Sequence, residues 1–276
     1  MKKNRKLTKI INTVWVTFLG ILFLLPLLWM LSSSLKTGAE VFGNDFHWIP
    51  REIQWENYAR VWTTGAIPFI RAMGNSVFVA ILSVLGQVII SSMTGYALAK
   101  INFRGKGVVF TLMMATMMIP GQATIIPKFV LFHAIHLYDT LWTLILPACF
   151  SISSIFMLRQ FYLSLPNDLL DSAKVDGANH WQAWKKIMFP LTKPAIVTVV
   201  ILAFISSWNE YLSALVFLPT NSHFTVSLAI QYWMQMTDEY NLMMTAAASA
   251  VIPVILLYLF AQKYFVESIA TTGVKG

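Results

Sequence analysis

Six apolar runs, each about 20 residues long, constrain this chain more than any other feature. A helix of that length covers the ~30 Å hydrocarbon core of a bilayer. The runs are Ile11–Leu31, Asn75–Leu98, Val108–Val130, Leu141–Phe161, Pro194–Leu218 and Leu242–Ala261. Charged residues make up 12% of the 276 residues, where a soluble domain carries about a quarter. The reading is an all-α, polytopic membrane protein with six transmembrane helices in a single membrane domain over residues 1–276.

Local chemistry refines these spans. The opening MKKNRKLTK followed by an apolar stretch resembles a signal peptide, but no small-x-small site follows, so a retained first helix is expected. Pro120, Gly121 and Pro127 predict that the third span kinks or ends early. Pro194 suits the first turn of the fifth. With one cysteine, Cys149, the chain cannot form an internal disulfide or a cysteine-based metal site.

The net charge of +8 raises nucleic acid as a partner, but the distribution of charge speaks for membrane orientation. Fifteen of the 20 Lys and Arg residues fall at the two termini and in alternate connections, including the segment from Arg159 to Lys193. The opposite side holds Lys36, Arg51, Arg60, Arg71 and Lys128. Short-loop cations face the cytoplasm, so both termini and residues 162–193 are expected there. Two long connections, 36–70 and 219–241, are expected at the outer surface, with Trp48, Trp55, Trp62 and Trp233 suited to the interface.

The polar stretch 167–190 predicts two short helices outside the lipid. Asn167 is placed to cap a helix whose first turn carries Asp168 and Asp171. Asp176-Gly177 predicts a break, and Asn179 with Gln182 predicts a capping box for a second helix. Trp181, Trp184 and Ile187 or Met188 share one face of that helix, and Pro190 is expected to end the unit. Ala173, Gly177 and Ala178 cluster at the joint, where a second backbone can approach closely. From spacing alone, a docking surface and an interfacial amphipathic hairpin without a partner stand level.

The run Asp171-Ser172-Ala173-Lys174-Val175-Asp176-Gly177-Ala178, followed by Phe189-Pro190, resembles the EAA loop of ABC importer permeases. It departs at Asp171, where the family usually has Glu, and at Ser172 and Phe189, where it has Ala and Leu; charge, small volume and apolar character are kept. Ser207-Trp208-Asn209-Glu210-Tyr211, Phe224-Thr225-Val226-Ser227-Leu228 and the tail Gly273-Val274-Lys275-Gly276 resemble the carbohydrate-uptake branch, particularly the maltose-type second permease. The tail departs at Ser268, where glycine is commoner. The resemblance implies a type I importer fold in a bacterial inner membrane. It also implies that Asp171, Ser172, Ala173, Asp176, Gly177 and Ala178 dock on an ATPase subunit that holds ATP and Mg. A second homologous permease and an extracytoplasmic solute-binding protein would complete the assembly. No cofactor is expected in this chain, which lacks a G-x-x-x-x-G-K-[ST] phosphate loop.

Glu210 is the one acid placed within a span, and with Trp208 and Asn209 it suits the lining of a sugar path. Aromatic faces pack on C–H surfaces, and amide and carboxylate groups bond hydroxyls. The other reading of Glu210 is a structural hydrogen-bonding node. Gln122, Thr124, Gln87, Ser151, Ser153 and Ser154 either face a cavity or pack helices together. No grouping looks catalytic or metal-binding. The functional expectation is a permease subunit of an ATP-driven importer of sugar, with oligosaccharide as the expected class. The same scaffold carrying glycerol phosphate is the alternative, and an intramembrane enzyme or an ion-coupled carrier is a remote one.

Overall fold

The computed structural model describes residues 2–43, 47–64, 67–236 and 238–272, and every regular element among them is helical. The principal helices are α1 (Lys2–Ser34), α2 (Phe69–Lys100), α3 (Lys106–Thr116), α4 (Ile125–Ala134), α5 (Trp142–Ala148) and α6 (Ile152–Ser164). They continue as α7 (Asp168–Val175), α8 (His180–Ala183), α9 (Lys193–Trp208), α10 (Leu212–Phe217), α11 (Val226–Met236) and α12 (Tyr240–Thr272). The sugar-branch tail Gly273–Gly276 lies outside the described residues.

Among the described residues, four stretches are long and apolar enough to cross a membrane: Thr8–Ser34, Phe69–Lys100, Trp142–Ser164 and Tyr240–Gln262. Counting each of two sharply bent helix pairs as one span raises the number to six. The apolar window of Thr8–Ser34 has none of its residues buried, so that part of the helix presents its apolar surface to lipid or to another chain, while the helix end at Ser33 and Ser34 is buried.

The breaks follow from side-chain chemistry. Pro120 ends the first half of the third run. A 3-10 turn, Gly121–Thr124, then leads into α4, and the two halves meet at 95°. Pro127 falls in the first turn of α4, where its missing N–H costs no helical bond. The fifth run differs from the expected single helix. It stops at Trp208, and Asn209 Nδ2 donates to the Ile205 carbonyl at 2.9 Å, satisfying one of the terminal carbonyls. Glu210 therefore sits in a break between α9 and α10 and not inside a helix.

The described residues divide into two compact units. One comprises Met1–Ile70 with Ile230–Ile252. Here buried Asn57 donates through Nδ2 to the carbonyls of Ser34 and Lys36, both at 2.9 Å, at the end of α1. Asn241 donates to Asn57 Oδ1 at 3.1 Å, and Thr245 to the Ser34 carbonyl at 3.0 Å. These amides and hydroxyls take up carbonyls that a buried helix end otherwise leaves unpaired. Lys36, fully buried, donates to the His47 carbonyl and lies 4.2 Å from the centre of the Trp29 ring.

The other unit comprises Arg71–Ala229 with Pro253–Gly276. Its core gathers Tyr96, Leu158, Tyr162, Trp184, Met188 and Val199. Two glycines let α2 come close to its neighbours. A Cβ on Gly86 would stand 2.3 Å from Cys149 Sγ, and one on Gly95 would stand 3.0 Å from the Arg159 backbone nitrogen. At the connection before α5, Asp139 adopts φ 60° and clasps the loop after α10. It accepts from the Thr220 hydroxyl at 2.5 Å and lies 3.1 Å from His223 Nδ1.

Gly86→Leu and Gly95→Leu are expected to cost roughly 1–3 kcal/mol by overpacking, read as a lowered thermal midpoint in detergent. Gly20→Ala, with nothing within 4 Å of the added carbon, should leave the midpoint unchanged. Burial alone would push the Asp139 carboxyl up, but bonds from Thr220 and His223 outweigh it and hold the pKa below its usual value. Its contribution to stability is then complete above the unfolded pKa of ~3.9 and lost as pH falls through the lower folded value. Asp139→Asn should abolish that part of the pH dependence of unfolding.

Candidate functional site

The polar segment 167–192 forms a hairpin whose two halves are stopped and started by local bonds. Asp168 and Asp171 lie in the first turn of α7 and Lys174 in its last, as the helix dipole favours. The helix ends in a complete Schellman motif. Gly177, at φ +78°, donates its N–H to the Lys174 carbonyl at 3.0 Å, and Ala178 donates to the Ala173 carbonyl at 2.9 Å. Asn179 then opens α8 with both bonds of a capping box to Gln182. Asn167 behaves differently from expectation. Its backbone is already helical, it makes no side-chain cap, and its Oδ1 accepts from Lys100 Nζ at 2.7 Å.

Nor does Pro190 end the unit. The helix widens to a π turn at Trp184–Met188 and continues through Phe189–Leu191, with Pro190 inside it and its missing N–H just beyond the widened turn. It closes at Thr192, whose hydroxyl donates to the Met188 carbonyl, and α9 then leaves at 80°.

The hairpin has two chemically distinct faces. Leu170, Ala173, Ala183, Trp184 and Met188 are buried in the core of the unit. Asp171, Ser172, Asp176 and Gly177 are exposed, Ala178 is half-buried, and Val175 is 88% exposed. Of the predicted docking residues, Ala173 thus points into the chain's own core and the other five border the outer face. Trp181 is half-exposed, and its ring lies 4.8 Å from that of Trp184.

Five hydrogen bonds join this hairpin and its approach to α2. Trp184 Nε1 donates to Ser92 Oγ at 3.1 Å. The same hydroxyl is 2.6 Å from the Tyr162 hydroxyl. Tyr96 OH lies 3.4 Å from His180 Nδ1. Lys100 Nζ, besides its bond to Asn167, donates to the Leu165 carbonyl at 2.7 Å. Ser92 and Tyr162 are fully buried and Trp184 is 8% exposed, so water does not compete for the first two bonds.

The same unit holds a partly open cavity of about 620 Å³. Gln87 of α2, Lys128 of α4, Thr143 of α5, and Ser153 and Ser154 of α6 line it, with Ser206 and Ser207 of α9, Glu210 and Ser213. Gln87 Nε2 donates to Ser154 Oγ at 2.7 Å, so this pair both packs two helices and faces the cavity. Glu210 also combines two roles. It lines the cavity while its Oε1 accepts the Ser213 N–H at 2.8 Å in the first turn of α10. The other pathway candidates lie elsewhere. Trp208 is buried and stacked on Phe204, Asn209 is exposed at the helix end, and exposed Gln122 lies in the 3-10 turn. Lys128, Ser206, Ser207 and Ser213 escaped the sequence reading. The available signal was a lysine inside the third apolar run.

Comparison with known proteins identifies the family and the fold. The model of the family described as "binding-protein-dependent transport system inner membrane component" matches residues 87–271. The arabinooligosaccharides transport system permease protein AraQ of Bacillus subtilis is 33% identical over 271 residues, 97% of this chain and 96% of the relative. The trehalose transport system permease protein SugB of Mycobacterium tuberculosis is 33% identical, over 92% of this chain and 93% of its own. A chain of a bacterial ABC transporter that imports the acidic polysaccharide alginate superposes with TM-score 0.82 and 25% identity, covering 94% of this chain and 97% of that one. With a helical fold shared over nearly its full length and a family match over most of it, this chain belongs to the inner membrane components of binding-protein-dependent transport systems.

Proposed function

We propose that this chain is a permease subunit of an ATP-driven sugar importer, and that the 167–192 hairpin is where it receives force from an ATPase partner. Family membership and relatives named for oligosaccharide transport support the class. One observation carries the docking role. Asp171, Val175, Asp176 and Gly177 form an exposed acidic and apolar edge on a hairpin whose opposite face is fixed to the core. A valine 88% exposed outside the apolar spans exposes apolar surface that a partner would bury. The concentration of cations in the same connections favours a cytoplasmic position for this edge and for both termini.

In this reading the partner holds ATP and Mg, and this chain contributes no catalytic group. Nucleotide binding changes the relative stability of two transporter conformations, because it draws the ATPase subunits together in one of them. The hairpin moves with the ATPase, and Ser92, Tyr96 and Lys100 pass that movement to α2. A second permease completes the pore, and an extracytoplasmic binding protein delivers the saccharide.

Cysteine placed at Val175 should crosslink to the ATPase in native membranes. Asp171→Lys and Gly177→Arg should lower both ATPase recovery with the permease and uptake at least tenfold. Crosslinking that never captures an ATPase, together with wild-type uptake by both variants, would overturn the assignment. The cysteine variant keeps the test decisive even if arginine at a left-handed position disturbs the hairpin.

A further inference from the structure

We infer that the cavity on this subunit is itself a solute site and that Lys128 selects saccharides carrying a carboxylate. The inference rests on the importer reading and adds a substrate class to it. An unpartnered lysine at the cavity wall carries the argument. Lys128 is half-buried at the cavity wall, and no hydrogen bond or ion pair among the described residues engages its ammonium. It stands in the first turn of α4, a turn without acids, where the positive end of the helix dipole disfavours a cation. Lys128 therefore stands at the cavity wall without a hydrogen-bond or ion-pair partner among the described residues.

Glu210, the other charged residue of the lining, balances Lys128 in formal charge but does not pair with it. No ion pair within 4.0 Å joins the two, and Glu210 Oε1 accepts the Ser213 N–H at 2.8 Å. The carboxylate thus has a hydrogen-bond donor, whereas the ammonium has no acceptor among the described residues. A solute carboxylate supplies that acceptor in a charge-assisted bond, roughly twice as strong as a neutral one. The remaining wall suits the rest of a sugar. Among the described residues, Ser207 Oγ is buried without a partner, the Ser206 hydroxyl is unengaged, and Gln87 Oε1 accepts no bond while its Nε2 serves Ser154. Such groups bond hydroxyls in either direction. At about 620 Å³ the cavity falls within the ~300–1,000 Å³ range of small-molecule sites.

The test uses the assembled transporter in lipid nanodiscs, without the binding protein, whose own preference would mask that of the cavity. The probes are α-1,4-linked digalacturonate and its dimethyl ester, matched in shape and differing in charge. Calorimetry on the wild type should give roughly tenfold tighter binding of the acid, with the difference shrinking as salt rises. Lys128→Gln should bring the acid down to the level of the ester, and Lys128→Arg should keep the preference. Equal binding of acid and ester by the wild type, or an unchanged preference in Lys128→Gln, overturns the role of Lys128 and leaves the saccharide reading standing. Failure of both probes to bind overturns the site and counts against the saccharide reading as well. The wild-type comparison requires no variant, so poor assembly of Lys128→Gln cannot blunt the test.

Discussion

A single buried hydroxyl, that of Ser92, ties the polar hairpin to the second span. It accepts the Trp184 indole N–H and is hydrogen-bonded to the Tyr162 hydroxyl, joining α2, α6 and the π turn at one point. In a site closed to water, losing one of these partners strands the others, at a cost of about 1–3 kcal/mol per unsatisfied group. The surrounding aromatic packing holds the geometry. The Tyr96 and Tyr162 rings lie 5.8 Å apart and the Trp184 and Phe189 rings 5.4 Å apart. The hairpin is therefore a rigid extension of the helix core, and a displacement at its outer edge has a direct route into a membrane-crossing helix.

The same need to satisfy terminal carbonyls recurs at other helix ends, and the chain meets it with amides, hydroxyls and cations. Asn57 finishes α1, and Asn209 finishes α9. At the end of α2, Lys106 donates to the carbonyls of Ala99 and Ile101, while Arg159 donates to that of Leu98 and lies over the Phe110 ring. These cations suit the negative end of the helix dipole. The cluster identified from sequence as an orientation signal is thus also the device that closes α2.

Much of this was legible in the sequence because the signals are local. The left-handed glycine at 177, the Asn179–Gln182 box and the proline break near residue 120 each depend on a few adjacent residues, and each forms as read. What was not legible depends on distant partners. Asn167 looks like a cap, but Lys100, 67 positions away, takes its oxygen. Ala173 looks like contact surface, but α7 rolls it onto the core beside Leu170. The polar run Ser206-Ser207-Trp208-Asn209-Glu210 marks the stop at Asn209, but polar residues inside an apolar run suit a cavity lining as well as a helix end, so the sequence alone does not choose between them. Lys128 reads as one more outer-side cation until the fold gathers Gln87, Ser207 and Glu210 around the same cavity.

The mechanical link itself is most directly examined with Ser92→Ala and Tyr162→Phe in the assembled transporter, measuring ATPase recovery and solute uptake together. Force transmission through this junction predicts that the ATPase still binds at the wild-type level while uptake falls at least tenfold, and that amide exchange in residues 180–191 accelerates. Wild-type uptake by both variants, with unchanged exchange in the hairpin, would contradict it.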